Sequence, residues 1–170
     1  MPINQHAQAF LKTLEAECGP TRKCLQGMKM ELVDFQPHET SMKMGYLATL
    51  IASMPLWIQY MITEGEIDFA TFPQTDPKTS GELVQYFDTN MEAARKALTE
   101  ADDEFLRRPF SLKRNGEVLY TTLKILDIPV TINHMVHHRG QFTVYMRMNG
   151  IPVPALYGPS ADDRHFQAPK

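Results

Sequence analysis

The sequence predicts an all-α fold, a four-helix bundle in a single domain spanning residues 1–170. Three observations predict it. Apolar residues recur at spacings of three, four and seven in four separate stretches of about twenty residues, the pattern of amphipathic helices. No series of strand-like runs stands between them, so these helices must bury their apolar stripes against one another. The chain is 43% hydrophobic and 22% charged over 170 residues, ordinary for a globular protein and long enough for a proper core.

The first helix covers residues 4 to 26, with Ala9, Phe10, Leu14, Cys18 and Leu25 on its apolar side. Pro20 has no backbone donor, so Gly19-Pro20 is expected to kink or split it. Residues 27–40, with Pro37, read as a connection, and Ser41 is the expected N-cap of helix two. That helix runs from 42 to 64 and carries Tyr46, Leu47, Leu50, Met54, Trp57, Ile58 and Met61 on one side, with a bend expected at Pro55. Residues 65–77 read as a loop. Thr79 followed by Glu82 is a capping-box signal for helix three, whose period lasts to residue 101. Glu100, Asp102, Asp103 and Glu104 read as a solvated helix end. Asn115-Gly116 between two short β-competent runs predicts a small hairpin before helix four. Pro129 either begins that last helix or kinks it, and Gly150 stops it. The proline-rich tail from Ile151 to Lys170 is expected to be irregular chain.

Helix four carries the densest chemistry. His134, His137 and His138 are three of the six histidines in the chain. His134 and His138, four apart, stack on one helix face, the spacing that lets two imidazoles reach one ion such as zinc, nickel or iron. Turning about 100° per residue also brings Gln141 and Tyr145 to that face, and Asp127 projects similarly. No Glu follows His134, so the His-Glu-x-x-His zinc-protease pattern is absent. The competing reading is that these are hydrogen-bonded structural histidines.

Composition narrows the remaining classes. A net charge of −3 and a pI near 6.1 give no electrostatic reason to expect nucleic acid as a partner. No apolar run is expected to span a bilayer, and Met1–His6 lacks the pattern of a secretory signal. Cys18 and Cys24 fit neither a redox pair nor a zinc knuckle, and free thiols in a reducing cytoplasm are expected.

The motif His134-x-x-x-His138-Arg139-Gly140-Gln141, with Tyr145-Met146-Arg147, Pro152-x-Pro154 and Tyr157-Gly158-Pro159-Ser160-Ala161-Asp162, resembles the DinB/YfiT-like metalloenzymes. Upstream, Thr21-Arg22, Pro37-His38, Ser41, Leu47-Ala48-Thr49-Leu50-Ile51-Ala52 and Trp57 extend the resemblance over nearly the whole chain. It implies a four-helix bundle with a long crossover connection, homodimerisation, and a divalent metal held by three histidines, two of them on helix four. His134 and His138 match that pair. The position that matches the family's third histidine, on helix two, is Leu50.

No residue on the same face of helix two replaces that ligand. Lys43 and Tyr46 are poor ligands at neutral pH, and Glu64 lies about 21 Å along the helix. Asp127 or His137 can complete a site, or a divalent metal is weakly held or absent. Arg139 is expected to pair with a tail carboxylate such as Asp162. Two functions follow as expectations. One is a metal-dependent hydrolase or small-thiol transferase acting on a small-molecule substrate, with Gln141 or Tyr145 orienting it. The other is a non-catalytic small-molecule binder or dimeric stress-associated protein, favoured by an aliphatic Leu50 in a ligand's place.

Overall fold

The computed structural model describes residues 4–164. Four long helices dominate it: α1 (Gln5–Gln26), α2 (Met44–Thr63), α3 (Ser80–Glu100) and, after one short helix α4 (Asp103–Leu106), α5 (Lys124–Met148). Three strands complete it, β1 (Glu66–Asp68), β2 (Pro109–Arg114) and β3 (Glu117–Leu123). The all-α expectation is therefore corrected: the fold is mostly helical with a small mixed sheet ordered β1-β2-β3, parallel between β1 and β2 and antiparallel between β2 and β3.

The hairpin lies where Asn115-Gly116 predicted it, because both residues take positive φ, 52° and 81°, as the tight turn demands. The strand β1 falls in a segment that reads as loop. Its three residues are too few to show a period, and they become a strand only by pairing with β2. Asp68 fastens this pairing, since its carboxylate accepts from the backbone N–H groups of Asn115 and Gly116 at 3.0 and 2.6 Å and from Ala70 at 2.9 Å. The bond from Ala70, followed by those of the turn, holds the Asp68 carboxyl below its ordinary pKa.

Helix α1 packs on α3 and α5, and α2 packs on the same two helices, so α1 and α2 lie on opposite corners. Residues 27–43 make the crossover between them. Backbone bonds from Met44 to Phe35 and from Gly45 to Val33 tie the crossover to the start of α2. A Cβ on Gly45 would stand 2.9 Å from the Val33 Cβ, so only glycine permits this approach.

Several local expectations are corrected. Helix α1 continues through Pro20 without splitting, because losing one internal hydrogen bond is outweighed by packing of Leu14, Thr21, Cys24 and Leu25, all buried. Ser41 does not cap α2; that position belongs to Lys43, whose side chain makes no capping bond. Thr79 caps α3 as expected, accepting from the Glu82 N–H at 3.0 Å. Of the acidic run, Asp102 caps α4, and Asp103 is buried and bonded to the His6 ring at 2.8 Å. Helix α5 begins five residues before Pro129, with the proline inside it, and turns out at Gly150, φ 67°.

Helix α2 is long and apolar enough to cross a membrane by length and composition, against the expectation that no run approached that length. More than half of the qualifying stretch is buried inside the protein. Residues 151–164 of the tail are irregular as expected; the rest of the tail lies outside the described residues.

Candidate functional site

Helix α5 brings His134 and His138 together. Their Nε2 atoms stand 2.7 Å apart, and His138 Nδ1 lies 2.8 Å from Gln141 Oε1. A carboxamide oxygen only accepts, so His138 carries its proton on Nδ1 and its Nε2 accepts from the Nε2–H of His134. His138 is buried and His134 half-buried. Burial, followed by electrostatic repulsion that protonated His134 would feel from the neighbouring His138 and His137 imidazoles as they titrate, holds the His134 imidazole below its ordinary pKa.

Both Nε2 atoms point at one place, as a shared ion needs. An ion bound by each at about 2.0–2.1 Å would part them to about 3.3 Å, so the observed separation is that of a mutual hydrogen bond. The other predicted ligands do not join the pair. Among the described residues, no three His, Cys, Asp or Glu side chains gather where they could hold one ion. Asp127 is buried two turns away, and both its oxygens lie 3.3 Å from the Tyr120 hydroxyl. Burial raises the Asp127 pKa, and burial with the Asp127 charge pushes Tyr120 up to about 12. His137 is exposed, its ring centroid 5.2 Å from that of His138. Tyr145 is buried and donates to the Met42 carbonyl at 3.2 Å, joining α5 to the crossover. The described residues do not assemble a three-ligand metal centre.

Arg139 departs from expectation in a different way. Its partner is Glu17 on α1, at 2.7 Å, with Thr21 Oγ1 at 2.9 Å and the Tyr157 hydroxyl at 2.7 Å. Asp162 pairs with Arg147 instead. Arg139 is 1% exposed, and burial of this depth selects a fixed, bidentate-capable partner on a helix over a surface carboxylate on the tail. The tail still docks as expected, through Tyr157, which donates to Glu17 at 2.8 Å. The signal for this cluster lay in α1: Thr21 continues the buried line of Ala7 and Leu14, a polar residue on an apolar stripe.

The sequence reading missed a cavity of about 520 Å³ between α2, the crossover and the segment from β1 to α3. Its walls include Met30, Leu50, Trp57, Phe69, Phe72 and Tyr86, and its rim carries the ion pairs Asp34–Lys43 and Asp76–Lys78. Neither His134 nor His138 lines it. Trp57 stands between the two places: it lines the cavity and meets the His134 ring edge-on, centroids 6.3 Å apart. Its indole N–H is fully buried and meets no acceptor among the described residues. No periodicity announces such a space, because its walls come from distant segments.

A mostly helical fold with a crossover, an apolar cavity along α2 and a histidine pair on α5 defines a helical protein with a ligand-sized space. The chain belongs to the DinB family, whose model matches residues 3–168. It is similar to the uncharacterised protein YrdA of Bacillus subtilis, 25% identical over 161 residues, which cover 91% of this chain and 89% of YrdA. Among solved structures it resembles a DinB-like protein of Bacillus cereus, with TM-score 0.69 and 23% identity over 88% of this chain and 97% of the other. It also resembles the DinB-like protein YjoA of Bacillus subtilis, with TM-score 0.66 and 20% identity over 85% and 96% of the two chains.

Proposed function

We propose that this chain is a small-molecule-binding member of the DinB family that has given up the metal-dependent hydrolase or transferase chemistry its motif suggests. The observation that carries this reading is Leu50. By the family resemblance it stands where a metal-binding histidine is expected, and it lines the apolar cavity. His134 and His138 then satisfy each other and Gln141. A space of this size, with aromatic walls and charged pairs only at the rim, suits an apolar or aromatic ligand.

Trp57 is the chain's one tryptophan and sits on the cavity wall, so it reports occupancy directly. Titration with the aromatic dye 1-anilinonaphthalene-8-sulfonate should give saturable energy transfer from Trp57 at one dye per chain, unchanged by zinc and by His138→Ala. Absence of saturable transfer sinks the binding reading.

A second reading has one observation in its favour, the convergence of the two Nε2 atoms. In it, the pair holds a divalent ion with water in the remaining positions. Metal content of tag-free protein by plasma mass spectrometry separates the two. The binder predicts little metal in the wild type and a gain in Leu50→His, with zinc affinity rising on the order of 100-fold as a third imidazole is added. Near one metal per wild-type chain, lost in His138→Ala, favours the second reading.

A further inference from the structure

The cavity beside Leu50 has two unlike ends, and helix direction explains why. Helix α3 runs against α1, since Arg22 meets Asp88 while Glu15 meets Arg95. Helix α5 runs with α1, because Arg139 meets Thr21 and Met146 lies beside Gly27. Helix α2 runs against α5, with Met61 at Thr131 and Met42 at Tyr145. So α2 and α3 run in the same direction. Asn90 on α3 donates to the Ala52 carbonyl on α2 at 2.9 Å. Counting back from that bond brings Lys43, the N-cap of α2, and Lys78, just before the N-cap of α3, to about the same level.

Both lysines line the cavity, as do Asp34 and Asp76, with which they pair. All four are well exposed, so this end is the mouth. The other end holds Trp57, Phe69 and Phe72, and Phe72 is buried. At a rise of about 1.5 Å per residue, Trp57 stands about 21 Å from Lys43 along α2. Residues 69–78 return along this length as the outer wall. A volume of about 520 Å³ drawn out over that distance is long and narrow. Between its ends the walls offer little but hydrocarbon. Met28, Met30, Leu50 and Leu83 line it, and the Thr49 and Ser53 hydroxyls donate back to the Gly45 and Leu50 carbonyls of their own helix. Methionine walls adapt readily to an apolar chain.

The charges at the mouth balance, yet they do not compete equally for a ligand. Each aspartate is more exposed than its lysine, 79% against 56% and 82% against 72%, so the lysines lie nearer the cavity. Exposed pairs of this kind hold together weakly. An ammonium on a flexible four-carbon stem can swing to a new anion, and the short aspartate cannot follow it. The start of α2 adds to the bias, with no acidic residue in its first turn and no side-chain cap.

We propose that the cavity takes an elongated amphipathic acid, a straight-chain carboxylate of fatty-acid type. Its carboxylate sits at Lys43 and Lys78 and its tail reaches Trp57. The assignment rests on the binding reading above and adds the chemical class of the ligand.

Trp57, the chain's one tryptophan, tests both head group and orientation, because bromine quenches indole fluorescence only at close range. Dodecanoate brominated at its tail should quench Trp57 saturably at one per chain. Its half-saturation should be roughly ten-fold lower than that of the tail-brominated dodecanol, the gain from charge-assisted bonds. The isomer brominated beside the carboxylate should compete equally well and quench little. Lys43→Met/Lys78→Met should remove the preference for the acid while leaving alcohol binding and the circular dichroism spectrum unchanged. Equal half-saturation of acid and alcohol overturns the proposal and leaves the binding reading standing. Strong quenching by the head-brominated isomer, or a preference that survives the double substitution, does the same. Quenching by neither compound also overturns it, and takes the binding reading with it only if the dye fails to bind as well.

Discussion

His138 and Arg139 are adjacent on α5, both buried, and they serve opposite ends. Arg139 points at α1 and the tail, where Glu17, Thr21 and Tyr157 surround its guanidinium with partners at 2.7–2.9 Å. His138 points toward His134 and Gln141. The arginine cluster draws on three segments far apart in sequence and is closed by the tail. The histidine group takes its hydrogen bonds from one helix, spans two turns of it, and among the described residues meets another element only through the edge-on contact of Trp57 with His134. A polar group tied from several elements is part of the scaffold, because losing one partner strands a buried charge. A polar group tied only within its own helix can change state at little cost to the fold. That difference separates structural from functional polarity here better than burial does.

The sharpest way to break this contrast is Arg139→Met. It leaves Glu17, 12% exposed, without its cation, and should destabilise the protein by about 3–5 kcal/mol. At about 2–4 °C per kcal/mol for a chain of this size, the melting temperature should fall by roughly 10 °C. An unchanged melting curve would make the cluster as dispensable as the histidines.

A smaller effect is expected at the pair. His138→Ala removes a buried ring whose hydrogen bonds stay within one helix, and urea denaturation should register a loss of about 2 kcal/mol. A loss equal to that of Arg139→Met would erase the distinction.

The smallest effect is pH dependence. His134 has a native pKa below its ordinary value of 6.5, so between the two values the unfolded chain binds the proton that the native chain declines. Stability should therefore fall as pH is lowered through the ordinary histidine value, and level off below the native one. His134→Asn should flatten that slope when melting is followed between neutral and mildly acidic pH. A slope that persists in the variant assigns it to another histidine.

The same contrast explains what could be read from the chain. The helices, the Thr79 cap, the hairpin at Asn115-Gly116 and the stop at Gly150 rest on interactions within a few residues, so the local sequence carries them in full. The His134–His138 pairing is legible for the same reason: four residues on a helix fix the distance. Glu17 as the partner of Arg139, Asp103 as the partner of His6, and β1 against β2 join residues far apart, and nothing local distinguishes them from exposed charges or loop. The cavity is the extreme case, since no one segment contains it.

The sequence by itself determined the long helices, the family and the place of the histidine pair, because helical periodicity is a local property of the chain. Only the tertiary structure decided that Asp127 turns to Tyr120, that His137 faces solvent, that Leu50 lines a cavity, and that Trp57 touches both the cavity and His134. Those outcomes depend on which helices become neighbours and at what level they meet. That is settled when the diagonal crossover of residues 27–43 sets α2 between α3 and α5 and the core closes around it.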